Sequence, residues 1–300
     1  MKSDVIVAYN EYYDNVPLGY YRYLFEALKT KYDYIKIKGF YDIKLPSHKV
    51  VVNLTPFANN CLKSEGVKII QFLDDMHSHN GDYSGFKHIL DNSTIVFGTE
   101  TESPSVKVNP FWQENASKLK WLPHFAYPYE VTIDNWANRP IEYINSGHYN
   151  EKDYPFRHKY TNVFKPSQAG HPGYDPKMVE TTRINGYFYK MLSRGKFCAA
   201  CGGTQGYVVS KYFEVPYCGS ILIGQANPLL EGLGFVHKNN CLIFTNEELT
   251  TAPEVINNLR TDELTKISLA GASLIRDKHM LKHRIQQIDD TIKELLGGDV

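Results

Sequence analysis

Short apolar runs separated by amphipathic stretches set the rhythm of this chain. The first lie at 5–9, 50–54, 68–73, 94–98 and 119–122, each rich in Val, Ile, Leu or Phe. Runs of that length without alternation suit strands buried on both faces of a sheet. Between the first two, residues 20–32 place Tyr20, Tyr23, Leu24, Ala27 and Leu28 on one face of a helix. Strands alternating with helices predict a parallel sheet with helices packed on its faces. After a loop-rich stretch at 126–140 the same grammar restarts. It predicts strands at 141–146, 196–200, 220–224 and 241–244, helices at 181–193 and 208–217, and a mostly helical ending from 263 to 296. The economical reading is α/β, two Rossmann-like units in series joined near residue 130.

Composition narrows the class. Three hundred residues with 42% hydrophobic content suit one large domain or two of ordinary size. Lysine plus arginine equals aspartate plus glutamate at 33 each, so the net charge is zero, which argues against a nucleic-acid binder working through a basic face. The apolar run within residues 1–10 is too short for a signal-peptide core, and no segment approaches the length of a membrane span. The five cysteines, Cys61, Cys198, Cys201, Cys218 and Cys241, sit mostly in apolar runs. They read as reduced core thiols of a cytoplasmic protein. Cys198 and Cys201 have redox or metal spacing, but no second pair follows them.

Two stretches carry candidate chemistry. "SKYFEVPYCGSILIG", residues 210–224, sets one carboxylate, Glu214, among apolar and aromatic neighbours just before a buried strand. Ligands of open α/β sheets bind outside the carboxyl ends of the strands, so Glu214 either faces such a site or pairs with a lysine on a solvated face. "FLDDMHSHN", residues 72–80, places Asp74, Asp75, His77 and His79 directly after a predicted strand. Asp-Asp-x-His-x-His can hold a metal, supply a general base, or cap the following helix. His171, in "AGHPGYDP", is a loop histidine beside proline and glycine, either a candidate binding residue or simply a turn residue. The 22 tyrosines and the tryptophans Trp112, Trp121 and Trp136 offer flat faces for sugar rings, though many belong to the core.

The stretch 186–224, "GYFYKMLSRGKFCAACGGTQGYVVSKYFEVPYCGSILIG", resembles the carboxyl-terminal domain of group 1 glycosyltransferases of the GT-B fold, in particular the CgeB-like branch. "YINSGHYNEKDYPFRHK", "NNCLIFTNEEL" and "LAGASLIRDKHMLKHRIQQI" are similar to that domain's first strand, exposed strand with acidic turn, and closing helices. The likeness runs from about residue 141 to the end. It implies two Rossmann-like domains facing across a cleft. Residues 1–130 would be the acceptor domain, 131–280 the nucleotide-sugar donor domain, and 281–300 a final helix crossing back to the first domain. Its apolar stripe is Leu281, Ile285, Ile288, Ile292 and Leu295.

Carried over residue by residue, the resemblance puts Glu214 on the ribose hydroxyls, since a carboxylate accepts two charge-assisted hydrogen bonds. Lys211, one turn earlier, and Arg157 would meet the diphosphate, and Gly147 would let backbone amides approach it. The Gly202–Gly206 loop is a further candidate phosphate cradle. One departure matters. Many retaining members carry a second Glu eight positions before the ribose carboxylate, where this chain has Gly206. An inverting reaction is therefore favoured, with Asp75 or His77 of the amino-terminal domain as the base. The expected activity moves a sugar from a nucleotide-diphosphate sugar to the hydroxyl of a glycan or glycoconjugate, with no metal or other cofactor required. A nucleotide-sugar epimerase of the same fold and a non-catalytic carbohydrate-binding protein are the alternatives.

Overall fold

The computed structural model describes residues 4–11, 20–38, 48–54, 66–73, 76, 83–168 and 183–298. The chain divides into two compact units, Met1–Pro123 with Leu281–Val300, and His124–Met280. Each is built on one parallel sheet.

In the first unit the strands are β1 (Val5–Asn10), β2 (Asp33–Ile37), β3 (Val50–Asn53), β4 (Lys68–Leu73), β5 (Ile95–Gly98) and β6 (Leu119–Trp121). They lie in the order β2-β1-β3-β4-β5-β6, all parallel. The apolar runs occupy the middle: every residue of β1 and β3 is buried, as covered parallel sheets require. The predicted helix after β1 forms as Tyr20–Leu28 and buries Tyr20, Tyr21, Leu24, Phe25 and Leu28. Strand β2 has no apolar run to announce it. "DYIKI" is an edge strand with three of its residues exposed, so only Ile37 needs to be fully covered. One polar pair interrupts the sheet, where Asn53 Nδ2 donates to Gln71 Oε1 at 2.7 Å and both side chains are buried.

The second unit holds β7 (Ile141–Asn145), β8 (Ser167–Gln168), β9 (Gly195–Ala200), β10 (Ile221–Gln225) and β11 (Leu242–Phe244), in the order β11-β10-β9-β7-β8. The chain leaves β7 for the edge strand β8 and returns to β9 on β7's other side. The winding therefore reverses between β7 and β9, the kind of crevice where open α/β sheets take ligands. The helix Pro155–Phe164 follows β7, Arg183–Arg194 precedes β9, and Lys211–Tyr217 lies between β9 and β10. Phe156, Tyr160, Phe197, Ile221, Ile223 and Leu242 form the centre of this unit's core.

Two long helices close the chain, Thr261–Lys278 in the second unit and Leu281–Leu296 in the first. The last one buries Ile285, Ile288 and Ile292, while Leu281 and Leu295 are half-buried. Polar contacts fix its position. Arg284 Nε donates to the Pro123 carbonyl at 2.8 Å, and Asp289 accepts from Lys31 Nζ and from the Tyr32 hydroxyl, the latter at 2.9 Å. Burial, then the Asp289 carboxylate, push the Tyr32 phenol well above its usual range, so it stays a donor. Among the described residues no helix is long and apolar enough to cross a membrane.

Ile288, fully buried, is the sharpest probe of this attachment. Replacing it with Ala should cost about 2–5 kcal/mol in denaturant unfolding, through lost transfer energy and the cavity left behind. The same change at half-buried Leu295 should cost much less. Equal effects at the two positions would mean that the stripe does not anchor the helix.

Candidate functional site

The site grows from what the strands of the second unit deliver at their carboxyl ends. Beyond β7 the backbone turns at Gly147, whose φ of +90° lies in a region that side chains with a Cβ rarely adopt. The turn leads through His148 to Tyr154 and the helix Pro155–Phe164, with proline in its first turn. From this helix Arg157 reaches back, only 3% exposed. It donates through Nη1 to the His148 carbonyl and through Nη2 to the Cys201 carbonyl at 3.4 Å. One side chain thus joins the loop after β7 to the loop after β9. Its guanidinium carbon lies 4.8 Å from the centre of the Tyr154 ring, and its buried Nε has no hydrogen-bond partner. No carboxylate forms an ion pair with it among the described residues.

The loop after β9 is glycine-rich because it must run close. Gly203 has φ +62°, and a Cβ there would sit 2.4 Å from the Asp153 carbonyl oxygen. That oxygen also accepts from the Thr204 amide at 3.0 Å. The loop leads to the short helix Lys211–Tyr217, which starts three residues later than the apolar pattern predicts. Pro216 lies inside this helix, and Gly219 ends it at φ +71° before β10 begins.

Glu214 is 5% exposed, so it is neither solvated nor openly presented. The Ser210 hydroxyl donates to its Oε2 at 3.2 Å. Burial raises its pKa, and Lys211 and the Ser210 bond oppose that shift. Lys211 is half-buried and forms no ion pair or hydrogen bond among the described residues. Burial, then the Arg157 charge, lower its pKa, while Glu214 raises it. Cys198 lies within the same field, and burial pushes its thiol up to about 12, which leaves it unreactive. Cys198, Cys201, Cys218 and Cys241 are all buried free thiols.

The structure therefore brings Gly147, Arg157, Lys211 and Glu214 to one end of one sheet, at its switch point. Two cations and one carboxylate meet there, with Arg157 and Glu214 buried and Lys211 half-buried. Such a set can bind an anion through the cations and a hydroxyl donor through the carboxylate. Asp74, Asp75, His77, His79 and His171 lie outside the described residues. Between them Met76 is fully buried. Sequence reasoning missed Ser210 and Tyr154, whose roles depend on contacts made by folding. It also missed Glu100, 1% exposed just beyond the carboxyl end of β5 in the first unit. Its place two residues after a predicted apolar strand was the available signal.

No protein-family model matches the sequence, and no curated protein matches it. Solved structures do. A sucrose-phosphate synthase from Thermosynechococcus elongatus superimposes with a TM-score of 0.66 at 11% identity, covering 97% of this chain and 99% of that one. HepE of Anabaena, in complex with UDP-glucose, gives 0.60 at 9% identity over 96% and 99% of the two chains. A glycosyltransferase from Rickettsia africae gives 0.60 at 10% identity over 99% and 100%. The fold is thus the α/β GT-B fold, with two Rossmann-like units.

The buried carboxylate has a thermodynamic signature. With its pKa raised above 4.5, Glu214 holds a proton more tightly in the folded than in the unfolded chain. Its contribution is favourable below the unfolded value and is lost as pH rises through the folded one. Glu214→Gln should therefore raise the melting temperature at neutral pH, with the gain shrinking toward acid. A gain independent of pH would show that Glu214 does not titrate abnormally.

Proposed function

We propose that this protein is a glycosyltransferase that moves a sugar from a nucleotide-diphosphate sugar to a hydroxyl of a glycan or glycoconjugate. The observation that carries the reading is the corner formed by Arg157, Lys211 and Glu214 at the switch point of the second sheet. Two positive groups with one negative one suit a diphosphate. Lys211 and Arg157 would hold its oxygens, and the turn at Gly147 would let backbone amides come near. Glu214 would accept hydrogen bonds from the two ribose hydroxyls, which would satisfy a carboxylate that Ser210 alone serves poorly. In this reading His124–Met280 is the donor unit and Met1–Pro123 the acceptor unit. The likeness to HepE, whose structure holds UDP-glucose, makes UDP-sugars the first donors to test.

The chemistry would be metal-independent, with charge on the leaving diphosphate stabilised by the two basic side chains. Inversion is favoured because Gly206 stands where retaining members carry their second Glu. Asp75 or His77 would then take the proton from the acceptor hydroxyl.

Thermal stabilisation by a panel of nucleotide sugars tests the donor site directly, since a ligand of the native state raises its apparent stability. Arg157→Ala and Lys211→Ala should abolish the response to UDP itself. Glu214→Ala should weaken nucleotide-sugar binding by about 1–3 kcal/mol. Unchanged affinity in all three folded variants would remove the corner from the donor site. Transfer to an added glycan should survive a chelator. Activity lost on chelation and restored by manganese would instead make the Asp74–His79 segment a metal site. Epimerisation of the free nucleotide sugar without transfer would overturn the transferase reading.

A further inference from the structure

The second unit carries a pocket at the opposite end of its sheet from the corner just described. It has a volume of about 310 Å³ and lies where β7 and β9 begin, lined by Trp136, Glu142, Tyr143, Lys196, Asn257 and Thr261, with Ile256 and Leu264 as its apolar backing. Strands of this length separate it from the carboxyl ends by about 15 Å. Its size is at the lower bound for small-molecule sites.

The walls define a chemistry. Trp136 is held by its indole N–H, which donates to the Lys196 carbonyl at 2.9 Å, and Lys196 Nζ lies 5.4 Å from the centre of its ring. The same ammonium pairs with Glu142 at 2.8 Å. Cation and carboxylate are therefore adjacent and already matched, so the pocket favours neither an anion nor a cation. In the first turn of the neighbouring helix Asp262 and Glu263 are likewise matched, by Arg260 at 3.2 and 3.4 Å, so this edge adds no unpaired charge. Charged and amide groups on several walls exclude a purely apolar ligand.

Tyr143 supplies the second observation. Its ring is fixed by stacking on Phe197 at 5.2 Å and by Phe164 at 4.6 Å. Its half-buried hydroxyl makes no hydrogen bond among the described residues. Burial, then Glu142, push the phenol up to about 12, so it remains a proton donor at any physiological pH. A phenol without a hydrogen-bond partner among the described residues, in a pocket that also holds a paired ammonium and carboxylate, offers donors and acceptors to a ligand that has both. Neutral ligands with closely spaced hydroxyls answer that description.

We propose that this pocket is a second binding site, separate from the nucleotide corner, for a single neutral sugar ring. Tyr143 and Lys196 donate to ring hydroxyls, and Glu142 accepts from one. The site does not depend on the donor reading, since none of its residues belongs to that corner.

The test uses the full chain and four probes, glucose, galactose, mannose and N-acetylglucosamine, titrated by saturation-transfer NMR without nucleotide. At least one should bind saturably. Tyr143→Phe, which keeps the ring packing, and Glu142→Gln, which keeps the shape, should each weaken that sugar by about tenfold. Arg157→Ala should leave it unchanged. Absence of saturable binding by all four sugars overturns the proposal. So does binding that both pocket variants leave intact, or binding that Arg157→Ala abolishes.

Discussion

A guanidinium buried against two backbone carbonyls organises the end of the second sheet. Removing a full charge from water costs several kcal/mol even after relaxation, and among the described residues no carboxylate pairs with Arg157 to offset it. It is tolerated because the loops after β7 and β9 both bend their carbonyls onto it, while the Tyr154 ring covers its face. The same loops turn at Gly147 and Gly203, both at positive φ, and Gly203 leaves room for the Asp153 carbonyl beside the Tyr154 ring.

The same burial tunes its neighbours. Lys211 is pushed toward its neutral form and Glu214 toward its protonated form. Each partly rescues the other, but two cations outnumber one carboxylate. A region that holds unbalanced charge out of water is costly until a complementary ligand arrives. This is how perturbed groups come to mark functional corners of a fold.

The first unit solves a different problem. Its amphipathic closing helix needs a fixed seat, which isoleucines alone would leave free to slide. Buried Arg284 and Asp289 remove that freedom. Each must find its own partner, Pro123 for the arginine and Lys31 with Tyr32 for the aspartate. Apolar burial supplies the driving force, and the directional bonds choose the register.

Much of the fold was legible in the sequence because strands buried on both faces must be apolar throughout. The runs that became β1, β3, β4, β9 and β10 advertise themselves for that reason, as does the stripe through Ile285, Ile288 and Ile292. Edge strands β2 and β8 were silent, since a strand with an open side can carry polar residues. The helix Pro155–Phe164 was missed too, its apolar face diluted by arginine, histidine and lysine. Gly147, Arg157, Lys211 and Glu214 could be picked out as residues, but not their relation to one another. Sequence spacing places Lys211 and Glu214 on one turn. It cannot say that a guanidinium from a helix 54 residues earlier (211 minus 157) shares their field, nor that Glu214 lies buried. Burial and electrostatic proximity belong to atoms brought together by the winding of the sheet, so only the tertiary structure decided them.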